Sequence, residues 1–134
     1  MPSTVDGPYR VLVVDDEVLL RNAFKSYLQK HNYLVATSDS VEKAMPLLDE
    51  FMPHALIVDG HLPGAVGLTL AAHVRTSATH KHVKIIAMSG DPVQERLAHM
   101  LKSQYDIFLS KPFPMKSLLE AIERLLPKKE PADA

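Results

Sequence analysis

The chain has no cysteine, which removes disulfide staples, thiolate catalysis and cysteine-ligated zinc together. It also lacks a charge imbalance. Fifteen Lys and Arg face sixteen Asp and Glu, so no global field draws nucleic acid or an anionic membrane surface. No apolar stretch approaches the ~20 residues of a membrane span. Met1 to Arg10 lacks the apolar region of a secretory signal. These absences are compatible with a reducing cytoplasm, the location expected here. What remains is ordinary globular usage, 46% hydrophobic and 23% charged over 134 residues, enough for one domain with a genuine core.

Residues 1–9 read as a Pro/Gly/Ser-rich lead-in, residues 10–127 as the domain, and residues 128–134 as a polar tail. Arg10 to Val14, Tyr33 to Thr37, Ala55 to Asp59, Lys84 to Met88 and Asp106 to Ser110 read as strands. Between them lie helical patterns. Val18 to Lys30 carries Leu19, Ala23, Phe24, Tyr27 and Leu28 inward. Ser40 caps a helix to about Phe51, in which Pro46 predicts a kink or an early stop. Leu62 to Gly67 is a loop, Leu68 to Thr76 a helix, and Asp91-Pro92-Val93-Gln94 a helix start. A last helix opens at Pro114. Such alternation demands a parallel sheet with right-handed helical crossovers.

Four of the apolar runs end on chemically active groups: Asp15-Asp16, Asp59, Ser89 and Lys111. In a parallel sheet these converge at one edge, where open α/β sheets bind ligands. Three carboxylates form an oxygen-only donor set suited to a hard divalent ion such as Mg²⁺. With a hydroxyl and an ammonium beside them, they point to phosphoryl transfer onto an aspartate. Each group has a plainer reading. Asp15-Asp16-Glu17 could cap the following helix, Ser89 could be a turn residue, and Lys111 a surface lysine. Their joint occurrence at four strand ends favours chemistry.

The chain resembles the receiver domain of two-component response regulators, of the CheY-like superfamily, from Arg10 to about Leu126. The resemblance rests on Val13-Val14-Asp15-Asp16-Glu17, Ile57-Val58-Asp59, Leu62-Pro63-Gly64, Ala87-Met88-Ser89-Gly90 and Leu109-Ser110-Lys111-Pro112-Phe113. It implies a flavodoxin-like (βα)5 fold, doubly wound, with strand order 2-1-3-4-5. It implies that Asp59 accepts a phosphoryl group from a histidine kinase or histidine phosphotransfer protein. Asp16 and Asp59 would hold Mg²⁺ or Mn²⁺ directly and Asp15 largely through water, with the His61 backbone carbonyl completing the set. Ser89 and Lys111 would each hold a phosphoryl oxygen, the Lys111–Pro112 bond would be cis, and Phe108 would be the switch aromatic. Phosphorylation would draw Ser89 inward and bias the surface of the fourth helix, fifth strand and fifth helix. The output would be a downstream protein or a fused effector domain, with no direct contact to nucleic acid or membrane. The chain would be a monomer or a phosphorylation-dependent dimer. Enzymatic activity would be confined to its own phosphorylation and dephosphorylation.

His61 stands where the family often has Met or Asn, and Asp91 lies two residues past Ser89; both positions implicate phosphoryl lifetime. Val66 and Gln104-Tyr105 also depart from the pattern, at partner surfaces. The seven histidines, His80 and His82 among them, read as solvated loop residues. Two rival functions are an interaction module working without phosphorylation and an aspartate-nucleophile phosphatase of the haloacid dehalogenase type. The phosphatase needs a second acid two residues beyond the nucleophile, and Asp59-Gly60-His61 lacks it. A flavodoxin-like FMN binder would need a flavin-stacking loop aromatic, which is not evident.

Overall fold

A computed structural model describes residues 7–59, 61–62, 65–91 and 104–127. The helix expected to start after Asp91 and the tail beyond Pro127 lie outside the described residues. In chain order the elements are β1 (Arg10–Val14), α1 (Val18–Lys30), β2 (Leu34–Ser38), α2 (Val41–Phe51) and β3 (Ala55–Asp59). There follow β4 (His61–Leu62), β5 (Ala65–Val66), α3 (Gly67–Thr76), β6 (Lys84–Ser89), β7 (Ile107–Ser110) and α4 (Met115–Leu125). Five strands form one parallel sheet in the order β2-β1-β3-β6-β7. Since β6 and β7 are the fourth and fifth expected strands, this is the flavodoxin-like order 2-1-3-4-5.

The strands are near-continuously apolar because both faces are covered. Alternation then divides the side chains between two cores. Val11, Val13, Ala55, Ile57, Ile86 and Met88 meet Phe24 and Leu28 of α1 and Leu118 and Ile122 of α4. Leu12, Val14, Leu56, Val58, Ile85 and Ala87 meet Val41, Ala44 and Leu48 of α2 and Leu70 and Val74 of α3. Fully burying a side chain such as Ile57, which has no exposed surface, contributes about 1.5–3 kcal/mol.

Four local expectations need correction. In α1 the inward stripe runs through Leu20, Phe24, Tyr27 and Leu28. Leu19 is 83% exposed, and Ala23 is exposed as well. The start Val18-Leu19-Leu20 allows two phases of the stripe, and the packing selects the later one. Helix α2 does not stop at Pro46 but continues to Phe51. The proline removes one backbone donor in the middle of the helix, while the buried Val41, Ala44 and Leu48 hold the element together. The expected loop after β3 contains a short antiparallel hairpin pairing His61 with Val66 and Leu62 with Ala65. Two-residue strands carry too little alternation to be seen in sequence.

The fourth correction is His80, which is buried rather than solvated. Its Nε2 lies 2.7 Å from Asp49 Oδ1 on α2, and the backbone around it forms a compact turn (Val83 N–H donates to the His80 carbonyl at 3.0 Å). His82 is exposed, as expected.

Candidate functional site

The order β2-β1-β3 reverses the chain's direction of travel across the sheet between β1 and β3, creating the crevice where open α/β sheets place ligands. Register sets what lines it. Val14 pairs with Val58, so Asp15 and Asp16 emerge beside Asp59. Asp59 pairs with Met88, so Ser89 projects one position further along the same edge. Ser89 in turn pairs with Ser110, the residue before Lys111.

Asp15, Asp16 and Asp59 each place a carboxylate oxygen within 4.8 Å of the others. Lys111 Nζ reaches Asp59 Oδ2 at 3.0 Å and Asp15 Oδ2 at 3.1 Å. Asp59 and Asp15 therefore share the one ammonium. Asp15 is completely buried and Asp59 nearly so, at 0% and 5% exposure, whereas Asp16 is exposed. The Asp15 Oδ1 atom accepts the Glu17 backbone N–H at 2.9 Å. Both Asp15 oxygens are thus engaged by the protein, and Asp16 is the acid open to solvent.

These environments set the charges. Burial raises the Asp15 pKa above the ordinary aspartate value, against the opposing pull of the Glu17 N–H and Lys111. For Lys111, burial favours the neutral amine, but the hydrogen bond to Asp59 and the charges of Asp15 and Asp59 outweigh it and raise its pKa. The lysine is a fixed cation. Around it stand Asp15, Asp59, Glu17 at 3.7 Å and, through the acidic cluster, Asp16. One ammonium cannot neutralise four carboxylates. The excess negative field and the all-oxygen donors fit a hard divalent cation.

Helix capping by Glu17 does not account for this cluster. Glu17 occupies the N-cap position of α1, yet its side chain makes no capping hydrogen bond. Glu17 and Arg21 are participants that the strand-end pattern did not reveal. Arg21 Nη1 donates to the Asp15 carbonyl at 2.7 Å and fixes the turn that carries both acids. Glu17 is visible in the sequence only as the end of the Asp15-Asp16-Glu17 run, and Arg21, in the first turn of α1, would pass for a surface charge.

Ser89 is buried, and its Oγ accepts the Asp91 backbone N–H at 3.1 Å. It is thus a turn residue as well as a hydroxyl at the crevice edge. The Lys111 backbone N–H donates to the Ser89 carbonyl at 2.8 Å, and the Lys111–Pro112 peptide is cis. Phe108 is half-buried against the α2–α3 core, its ring centre 5.9 Å from that of Tyr105. His61 lies in β4, two residues past Asp59.

Gly90 has a steric reason to be glycine. A Cβ there would lie 3.3 Å from Lys111 Cβ, so an alanine would push on the stem of the central cation. Gly90→Ala should cost about 1 kcal/mol through overpacking, read as a lower urea midpoint. It should also weaken anion capture at the acidic site more than that stability loss explains.

A family model described as the response regulator receiver domain matches residues 11–123. The response regulator MprA of Mycobacterium tuberculosis is 30% identical over 125 residues, which cover 93% of this chain and 54% of that protein. MprA of Mycolicibacterium vanbaalenii is 29% identical over 126 residues, covering 94% and 54%. The chain thus spans about half the length of these relatives. Among solved structures, the response regulator TrrA of Thermotoga maritima, in complex with Mg²⁺ and BeF, has a TM-score of 0.78 and 29% identity, covering 88% of this chain and 99% of that one. The chemotaxis response regulator CheY4 of Vibrio cholerae shares the fold, with a TM-score of 0.80 at 24% identity, covering 89% and 99%. With the acidic crevice and Lys111 at the strand ends, these matches show that the chain belongs to the response regulator receiver family.

Proposed function

We propose that Asp59 is the phosphoryl acceptor of a two-component or phosphorelay system, charged by a histidine kinase or a histidine phosphotransfer protein. The observation that carries this reading is the convergence of Asp15, Asp16 and Asp59 within 4.8 Å while Lys111 Nζ sits 3.0 Å from Asp59 Oδ2. A carboxylate oxygen of Asp59 forms the new P–O bond as the donor's P–N bond breaks, and the imidazole leaves with that electron pair. Lys111 would hold an oxygen of the transferred group, and the Ser89 hydroxyl another. Asp16 and Asp59 would hold a Mg²⁺ or Mn²⁺ ion directly, with the His61 carbonyl beside them and Asp15 largely through water. That ion supplies positive charge to a phosphoryl group whose transition state spreads negative charge over its oxygens.

The adduct adds a dianion next to Ser89 and Lys111. Drawing Ser89 toward it would move the end of β6 and open space for Phe108 to turn inward. The surface of β7, α4 and the helix expected after Asp91 would then change partner affinity. A downstream protein or a fused effector domain would read that surface, as a monomer or a phosphorylation-dependent dimer.

Beryllofluoride, a mimic of the acyl phosphate, tests the reading directly. It should bind one per chain, only with Mg²⁺ present, as followed by ¹⁹F NMR. Binding without Mg²⁺, or none at all, would favour an interaction module that works without phosphorylation. His61 and Asp91 are assigned to phosphoryl lifetime. His61→Met and Asp91→Ala should alter the decay rate of the phosphorylated chain while Mg²⁺ affinity stays the same. Equal decay in all three proteins would remove both residues from that role.

A further inference from the structure

The opposite end of the sheet gathers basic side chains at the starts of its central strands, while Asp106, just before β7, is paired with Arg75. Arg10 begins β1, Lys84 begins β6, and His54 immediately precedes β3. Their backbones are fastened in a row: His54 N–H donates to the Arg10 carbonyl at 2.8 Å, and Lys84 N–H to the His54 carbonyl at 3.0 Å. These residues line a cleft of about 310 Å³ with His80, His82 and Tyr9. Among the described residues every ionisable side chain lining it is basic or a tyrosine, and the carboxylate that meets this lining is Asp49 of α2, 2.7 Å from His80 Nε2. Such a lining is notable in a chain with sixteen acidic residues. The rest of its wall is largely apolar, including Met52, Pro53, Leu125 and Leu126.

The polar groups are held in place. Arg10 Nε donates to the Met52 carbonyl at 2.8 Å, fixing the guanidinium beside the cleft. His54 Nδ1 accepts the Arg10 backbone N–H at 2.8 Å. That nitrogen therefore acts as an acceptor toward the start of β1. The Tyr9 ring meets the His54 ring edge to face, with centres 5.2 Å apart. Its hydroxyl donates to the Pro127 carbonyl at 2.7 Å, closing the cleft between the start of β1 and the end of α4.

We propose that this cleft binds a small organic anion with an apolar body and one phosphate or carboxylate head. Arg10 and Lys84 supply positive charge for the head, and with His82 they supply its donors. The apolar wall takes the body, the combination expected of small-molecule sites. The site lies at the N-terminal ends of the strands, away from the acidic crevice, so it would take a ligand distinct from the phosphoryl group. The inference does not rest on the phosphoryl-transfer reading.

The test titrates the intact chain, without Mg²⁺, with phenyl phosphate, phenylacetate and inorganic phosphate, following backbone amides by ¹⁵N–¹H NMR. At least one of the two aromatic anions should give saturable shifts clustered at Arg10, His54 and Lys84, and the tighter of the two identifies the head group. Inorganic phosphate should bind about ten-fold more weakly, and the exposed-residue variant His82→Gln/Lys84→Gln should lose about ten-fold in affinity, each the scale of one good contact. Beryllofluoride capture at Asp59 should be unchanged in that variant. Non-saturating shifts, equal binding of inorganic phosphate, or full affinity in the double variant would overturn the proposal.

Discussion

Asp59→Asn is expected to abolish phosphoryl uptake from acetyl phosphate and Mg²⁺-dependent capture of beryllofluoride. The amide keeps the shape of the side chain but is a poor nucleophile and no longer carries charge. The substitution also takes one of three carboxylates from the cluster, so Mg²⁺ affinity should fall by one to two orders of magnitude, on the scale of about 1.4 kcal/mol for each tenfold. The fold should survive. Lys111 keeps its 3.1 Å contact with Asp15, and the amide oxygen can still accept from the ammonium. Unchanged circular dichroism with no detectable adduct is the expected combination. A variant that still forms a stable adduct would move the acceptor to Asp15 or Asp16.

Lys111→Met should give the second large effect, on both stability and chemistry. The Lys111 side chain is 17% exposed and its ammonium meets Asp15, whose side chain is 0% exposed. Removing it leaves a buried carboxylate facing Asp59 without a counter-charge. Loss of one partner from a buried pair typically costs 3–5 kcal/mol; with Asp16 open to solvent, about 3 kcal/mol is expected. Phosphoryl uptake should drop about 10²–10³-fold, the scale of losing one preorganised charge at a transition state.

The stability deficit should depend on pH with a definite sign. The Asp15 pKa is already raised by burial, so the folded chain binds that proton more tightly than the unfolded chain. Stability from this group is fully present below the ordinary aspartate value and is lost as pH rises through the raised folded value. Removing Lys111 extends that window upward, because the charge that opposed the shift is gone. The deficit measured by urea unfolding should therefore be larger at neutral pH than in mild acid. Mg²⁺ should recover part of it by returning positive charge to the carboxylates. A deficit independent of both pH and Mg²⁺ would show that Lys111 acts only through packing.

The strand ends were legible because a doubly covered sheet writes its strands as unbroken apolar runs. The residue that breaks such a run, Asp15, Asp59, Ser89 or Lys111, marks where the chain leaves the core. Convergence of those residues follows from parallel topology, which the alternation of strands and helices required. What the sequence hid depends on contacts between distant segments. His80 lies in a polar stretch, yet its ring is buried and meets Asp49, thirty-one residues earlier. Leu19 looked inward because either phase of the α1 stripe fits its first three residues. Glu17 and Arg21 join the site through the turn geometry after β1, which no spacing rule announces. The Arg10–His54–Lys84 row arises from strand starts, where side chains carry no periodic signal at all.

The most direct test of the central claim is to locate the phosphoryl group chemically. The chain would be incubated with acetyl phosphate and Mg²⁺, reduced with borohydride, and mapped by peptide mass spectrometry. An acyl phosphate at Asp59 is reduced to homoserine at that position alone, and only when Mg²⁺ was present. Homoserine at another aspartate, or an unmodified Asp59 peptide under conditions where beryllofluoride binds, would contradict the account.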